Sequence, residues 1–169
     1  KSEFEIYAIN CFQAYYEKAC EAAEKLENCA YYKSLQRNGG EFCHGDYNYH
    51  NLIMSVDGVA TTGFEKAGRG LQLLDLTYFM RKTLEKNEWQ TAAGEAVLEG
   101  YDREHTLSAP MLEFIDIMLM YPEKYWKLMN HYYNRKKSWL SAKSLEKLKN
   151  VKSLEKNREK FLRAFAAKY

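Results

Sequence analysis

The 169-residue sequence has little that would build a turn-rich or disulfide-stapled fold. There are two prolines and nine glycines, too few for the frequent tight turns of a β-sandwich, and long helices are expected instead. The four cysteines, Cys11, Cys20, Cys29 and Cys43, form no C-x-x-C pair, and no histidine cluster stands at zinc-binding spacing, so reduced thiols are expected. No apolar run approaches the roughly eighteen residues of a membrane span, and no signal-peptide pattern is seen. The net charge of +2 gives no reason to expect a nucleic-acid or membrane partner. What the chain does carry is aromatic weight: fourteen tyrosines in a composition that is 15% aromatic and 46% hydrophobic, enough for one domain with a real core.

Hydrophobic periodicity sets the elements. Residues 2–27 read as an amphipathic helix, with Ser2 and Glu5 at capping-box spacing. A short helix is expected over 30–37, ended by Asn38-Gly39-Gly40. Then comes a loop over 42–51. Two short, partly β-branched runs follow, 52–56 and 59–64, with Asp57-Gly58 between them as a hairpin signal. Residues 67–70 read as a glycine-containing loop. Helices are expected over 71–86, 88–105, from Ser108 with Pro110 in the first turn, 122–134, 139–150 and 153–168. Trp89, Trp126 and Trp139 read as core anchors. The tyrosine pairs 15–16, 31–32 and 132–133 read as one packed ring and one ring at the surface. His50 reads as structural or solvent-facing.

The segment His44–Asn51, HGDYNYHN, carries the chemistry. It fits H-x-D-x-x-x-x-N, the spacing phosphoryl transfer requires. An Asp faces the acceptor hydroxyl, an Asn five residues on reaches a magnesium ion, and a His packs beneath the loop.

Glu41–Lys82 resembles the choline kinase/aminoglycoside phosphotransferase superfamily, and within it the CotS-type kinase-like spore-coat proteins. HGDYNYHN, Gly63-Phe64-Glu65 and Asp75-Leu76 with Arg81-Lys82 carry the likeness, and Asn134-Arg135-Lys136-Lys137-Ser138-Trp139 and the last helix extend it. The resemblance implies a mainly α fold: the C-terminal lobe of a protein-kinase-like fold, with a small β-hairpin after the catalytic loop. It implies one domain over 1–169 with the N-lobe absent. The chain opens on Lys1 with no initiator Met and carries no Gly-rich loop followed by a strand Lys, so a fragment of a longer protein is expected.

By the same resemblance Asp46 is the catalytic base, Asn51 binds magnesium and the nucleotide, and His44 and Asp75 support the loop. The cofactors implied are Mg2+ and ATP. One position departs: Gly63 stands where an active kinase carries a metal-binding Asp. If Glu65 shares a strand face with Gly63, its longer side chain is a substitute ligand. Losing a metal ligand from an electrostatic site costs orders of magnitude in rate. Two functions therefore stay open. One is ATP-dependent phosphoryl transfer to a small-molecule hydroxyl acceptor. The other is a pseudokinase-like structural or binding protein of the spore coat, with other coat proteins as partners and a cytoplasmic or spore-coat location. Nothing in the later helices spells an acceptor. Glu113 and Asp116 are an acidic pair at helical spacing that would suit a cationic acceptor, but a surface role is favoured.

Overall fold

The computed structural model describes residues 2–38, 40–134 and 142–169, the side chains of 35–38 and 142 excepted. The expected helices form: α1 (Glu3–Asn28), α2 (Ala30–Asn38), α3 (Gln72–Lys86), α4 (Thr91–Asp102), α5 (Ala109–Met120), α6 (Glu123–Asn134), α7 (Ala142–Ser153) and α8 (Glu155–Lys168). Four short strands lie between α2 and α3: β1 (Glu41–Cys43), β2 (Leu52–Ser55), β3 (Gly58–Thr61) and β4 (Gly68–Gly70). The capping box is present. The Ser2 hydroxyl accepts the Glu5 N–H at 3.2 Å, and the Glu5 carboxylate accepts the Ser2 N–H at 2.9 Å. Each satisfies an N–H that the first helical turn leaves without an intrahelical acceptor.

Two hydrophobic clusters fill the interior. In one, Leu73, Met80 and Leu84 of α3 meet Phe114, Ile115 and Leu119 of α5 and Phe161 and Phe165 of α8. In the other, Phe4, Ala8, Cys11 and Tyr15 of α1 pack on Tyr125, Met129 and Tyr132 of α6 and Leu148 of α7. Each large apolar side chain buried here contributes about 1.5–3 kcal/mol before entropy is counted. Trp89 is in the first cluster and Trp126 packs against the second; Trp139 lies outside the described residues. Tyr15 and Tyr132 are buried while Tyr16 and Tyr133 are exposed, whereas Tyr31 and Tyr32 are both half-buried.

The structure ends β3 at Thr61 and α4 at Asp102, earlier than expected, carries α7 on to Ser153 and starts α8 at Glu155; three further changes have a local reason. Residues 67–70 are not merely a loop. Gly68–Gly70 is β4, antiparallel to β1 with Phe42 opposite Arg69, and its Gly-Arg-Gly composition hides a strand whose partner lies far upstream. The 42–51 loop is shortened at both ends, by β1 and by a 3₁₀ turn over Tyr49–Asn51. The fourth long helix starts at Thr91, not Glu88, because α3 ends in a left-handed turn. Glu88 and Trp89 have φ of 52° and 61°, and the Trp89 N–H donates to the Leu84 carbonyl at 2.8 Å. That bond is the six-to-one closure of a Schellman ending, and it turns the Trp89 ring into the core.

The expected β2–β3 hairpin forms, with Leu52 opposite Thr61 and Ser55 opposite Gly58. Its outer side chains, Ile53, Met54, Val56 and Val59, are exposed. Between this hairpin and β1 sits the HGDYNYHN loop, at the entrance to α3.

Candidate phosphotransfer loop

The loop is held from below by Asp75, in the first turn of α3. Its two carboxylate oxygens accept the backbone N–H groups of His44 at 2.6 Å and Gly45 at 3.0 Å. Bonds to an ionised acceptor are stronger than neutral ones. His44 is 7% exposed. Its Nδ1 accepts the Asp46 N–H at 3.2 Å, which leaves Nε2 as the protonated nitrogen, donating to the Thr62 carbonyl at 2.8 Å. The imidazole thus ties the loop to the strand end that leads to Gly63, with the rings of Phe64 and Tyr47 packed against it.

Asp46 and Asn51 are brought together. The Asn51 Nδ2 donates to the Asp46 backbone carbonyl at 2.9 Å. Asn48, 8% exposed, donates to that carbonyl and to the Asp46 Oδ1, and accepts the His50 N–H. His50 itself faces solvent. The Asp46–x–Asn48–x–His50 spacing of an Asx turn was available as a sequence signal for Asn48.

Sequence reasoning missed Lys66. Its ammonium donates to the Asp46 Oδ2 at 2.8 Å. The approach is built into the backbone. Gly45 has φ of 79°, and a Cβ there would lie 2.3 Å from the Lys66 carbonyl oxygen. Only glycine lets the two segments pack this closely. The Lys66 ammonium, helped by Asn48, holds the Asp46 carboxyl below its ordinary range, and Asp46 in turn raises Lys66.

Gly63 has φ of 81° and caps a 3₁₀ turn over Phe64–Lys66. Glu65 therefore lies in a turn, not on a strand. The alternation that would have placed it on the Gly63 side does not apply, and its side chain is exposed. The side chain this turn delivers to Asp46 belongs to Lys66. The Gly63 Cα is also covered: a Cβ would stand 2.8–2.9 Å from the side-chain amide of Asn51. A carboxylate at position 63 is excluded as long as Asn51 keeps its place. Among the described residues, no three His, Cys, Asp or Glu side chains come together in a way that could hold a metal.

A cavity of about 590 Å³ opens beside the loop, lined by Gly45, Asp46, Lys66, β4, α3 and the facing ends of α5 and α6. Glu113 and Asp116 do not line it. Glu113 is exposed, and Asp116 is half-buried near Lys25 and Glu21 of α1. Among the described residues, no helix is long and apolar enough to cross a membrane.

Comparison with known proteins agrees with this fold. The chain is similar to a crystal structure of an aminoglycoside phosphotransferase from Alicyclobacillus acidocaldarius, with a TM-score of 0.88 at 20% identity. The likeness covers 99% of this chain and 51% of that one, so the chain spans about half the length of that protein. At this identity the likeness establishes the fold: the mainly α, kinase-type C-lobe expected from the sequence. No curated protein matches by sequence. The family model described as spore coat putative kinase YutH matches residues 72–165, from α3 into α8. The match spans more than half of the chain, and the chain belongs to this family of kinase-like spore-coat proteins.

Proposed function

We propose that this protein is a kinase-like component of the spore coat in which the phosphotransfer loop is kept as a folded binding element without metal-dependent transfer. The observation that carries this reading is the Asp46–Lys66 ion pair beside Gly63. A magnesium site of this kind is built from one or two carboxylates together with substrate phosphates. Here the candidate donors are few. Gly63 offers no ligand, Glu65 is exposed, and Asp46 already holds an ammonium. Asn51 is held to the loop by its amide N–H, so only its neutral Oδ1 is left to offer a metal. These residues do not fit Mg2+, and no step is derived through it. The Lys66 ammonium instead places one positive charge against Asp46, neutralising it and tying β4's approach to the loop.

On the same reading, residues 1–169 make up the C-lobe half of the fold, as the coverage of 99% against 51% supports. The partners are other coat proteins, and the location is the coat.

One observation favours a second reading, ATP-dependent transfer to a small-molecule hydroxyl. The Asp75–His44–Asp46 support is complete, so Asp46 is oriented as a base would be, with Asn51 alone left to serve a metal. The test is the full-length protein with millimolar Mg·ATP, read by thermal shift and by ADP release. No magnesium-dependent stabilisation and no turnover is the expected result. Turnover lost in Asp46→Asn would establish the second reading instead.

A further inference from the structure

The cavity beside Asp46 has a charge pattern of its own. Asn51, Gly63 and the β2–β3 hairpin do not line it, so it is separate from the place where a metal ligand is missing. Four cations line it, Lys66, Arg69, Arg81 and Lys127, against three carboxylates, Asp46, Asp75 and Glu123. The carboxylates are already committed. Asp75 accepts the two loop N–H groups, Asp46 holds Lys66, and Glu123 pairs with both Arg81 and Lys127. Among the described residues Arg69 has no carboxylate partner.

Arg81 adds a buried cation behind the wall. It is 6% exposed, and its Nη2 donates to the Met118 carbonyl at 2.7 Å. Burial draws the guanidinium down to about 10, still a full cation at neutral pH. The Tyr78 ring, also on the wall, already faces two ammoniums, Lys82 at 5.4 Å and Lys127 at 5.3 Å. A polycationic ligand would add repulsion to a wall with no free carboxylate. A phosphate presents the oxygens that guanidinium and ammonium groups bind best.

We infer that this cavity takes a phosphate-bearing small molecule and rejects cationic ligands of the aminoglycoside or choline type. The inference deepens the proposed reading by naming the ligand class of the cavity next to the loop. It does not depend on whether transfer occurs, because its test contains no metal.

The experiment is calorimetric titration of the full-length protein in low-salt, metal-free buffer with inorganic pyrophosphate, kanamycin and choline. The expected result is pyrophosphate binding that weakens about five- to tenfold in Arg69→Ala and again in Lys127→Ala, with no binding of kanamycin or choline. Both variants change exposed side chains, so their melting curves should match the parent. The inference is overturned by kanamycin or choline binding, by no pyrophosphate binding, or by binding that neither variant alters. Magnesium-dependent turnover would overturn the functional reading while leaving this one intact.

Discussion

Restoring a side chain at position 63 should destabilise the protein, and Asn51 should set how much. Gly63→Ala places a Cβ on a backbone with φ of 81°, which costs about 1–2 kcal/mol for an L-residue. The same Cβ would meet the Asn51 amide at 2.8–2.9 Å. Asn51 must move, losing its 2.9 Å bond to the Asp46 carbonyl, for a further ~0.5–1.5 kcal/mol. The total is about 1.5–3.5 kcal/mol. With Asn51→Ala already in place, only the backbone part remains, so Gly63→Ala should then cost about 1 kcal/mol less, a coupling that a double-mutant cycle resolves. The assay is urea denaturation of the full-length protein and the three variants, followed by tryptophan fluorescence. Gly63→Asp should behave like Gly63→Ala and gain no magnesium response. A neutral Gly63→Ala, or equal costs in the two backgrounds, would refute the reasoning.

Other outcomes follow from the charged groups. Lys66→Ala should let the Asp46 carboxyl rise toward its ordinary value, as carbon-detected NMR titration would show. Because Asp46 is depressed in the fold, its contribution is present above the ordinary carboxylate range and is lost as pH falls through the folded value. The variant should therefore lose part of its acid-limb dependence, more at low salt than at high. Glu155 accepts the Tyr15 hydroxyl and pairs with Lys18 and Arg158, so Glu155→Ala leaves Arg158 buried without its counter-charge. A loss of about 3–5 kcal/mol in denaturant unfolding is expected. Burial holds the Asp116 carboxyl above its ordinary value, with Lys25 only partly opposing it. Its charged form weakens the fold as pH rises through the carboxylate range. Asp116→Asn should raise the melting temperature near pH 7 and leave it unchanged near pH 3.

The sequence made the helices legible because their apolar stripes are long and their caps local, as with Ser2 and Glu5. It also exposed the loop, since His44, Asp46 and Asn51 stand at motif spacing, while Asp75 beneath it came from the family resemblance alone. Lys66 was not legible. It lies twenty residues beyond Asp46, and only the close packing of Gly45 on its carbonyl brings it there. Glu65 was misplaced because strand alternation was extended one turn too far, into a segment that Gly63 bends into 3₁₀ geometry. Strand β4 was missed because Gly-Arg-Gly has no alternation to read, and its pairing with β1 is decided by tertiary contact. The conformation of Glu88 and Trp89 escaped notice because neither is a glycine. The charge of the cavity could not be read at all, since its cations come from β4, α3, α6 and the turn that carries Lys66.

The central claim is that Lys66, and not a metal, sits against Asp46. Its most direct test is calorimetric titration of ATP into the full-length protein with and without Mg2+. The account predicts that magnesium changes the nucleotide affinity by less than about twofold, and that Asn51→Ala leaves both values unaltered. Tightening of about tenfold or more by magnesium, ~1.4 kcal/mol, abolished by Asn51→Ala, would contradict it.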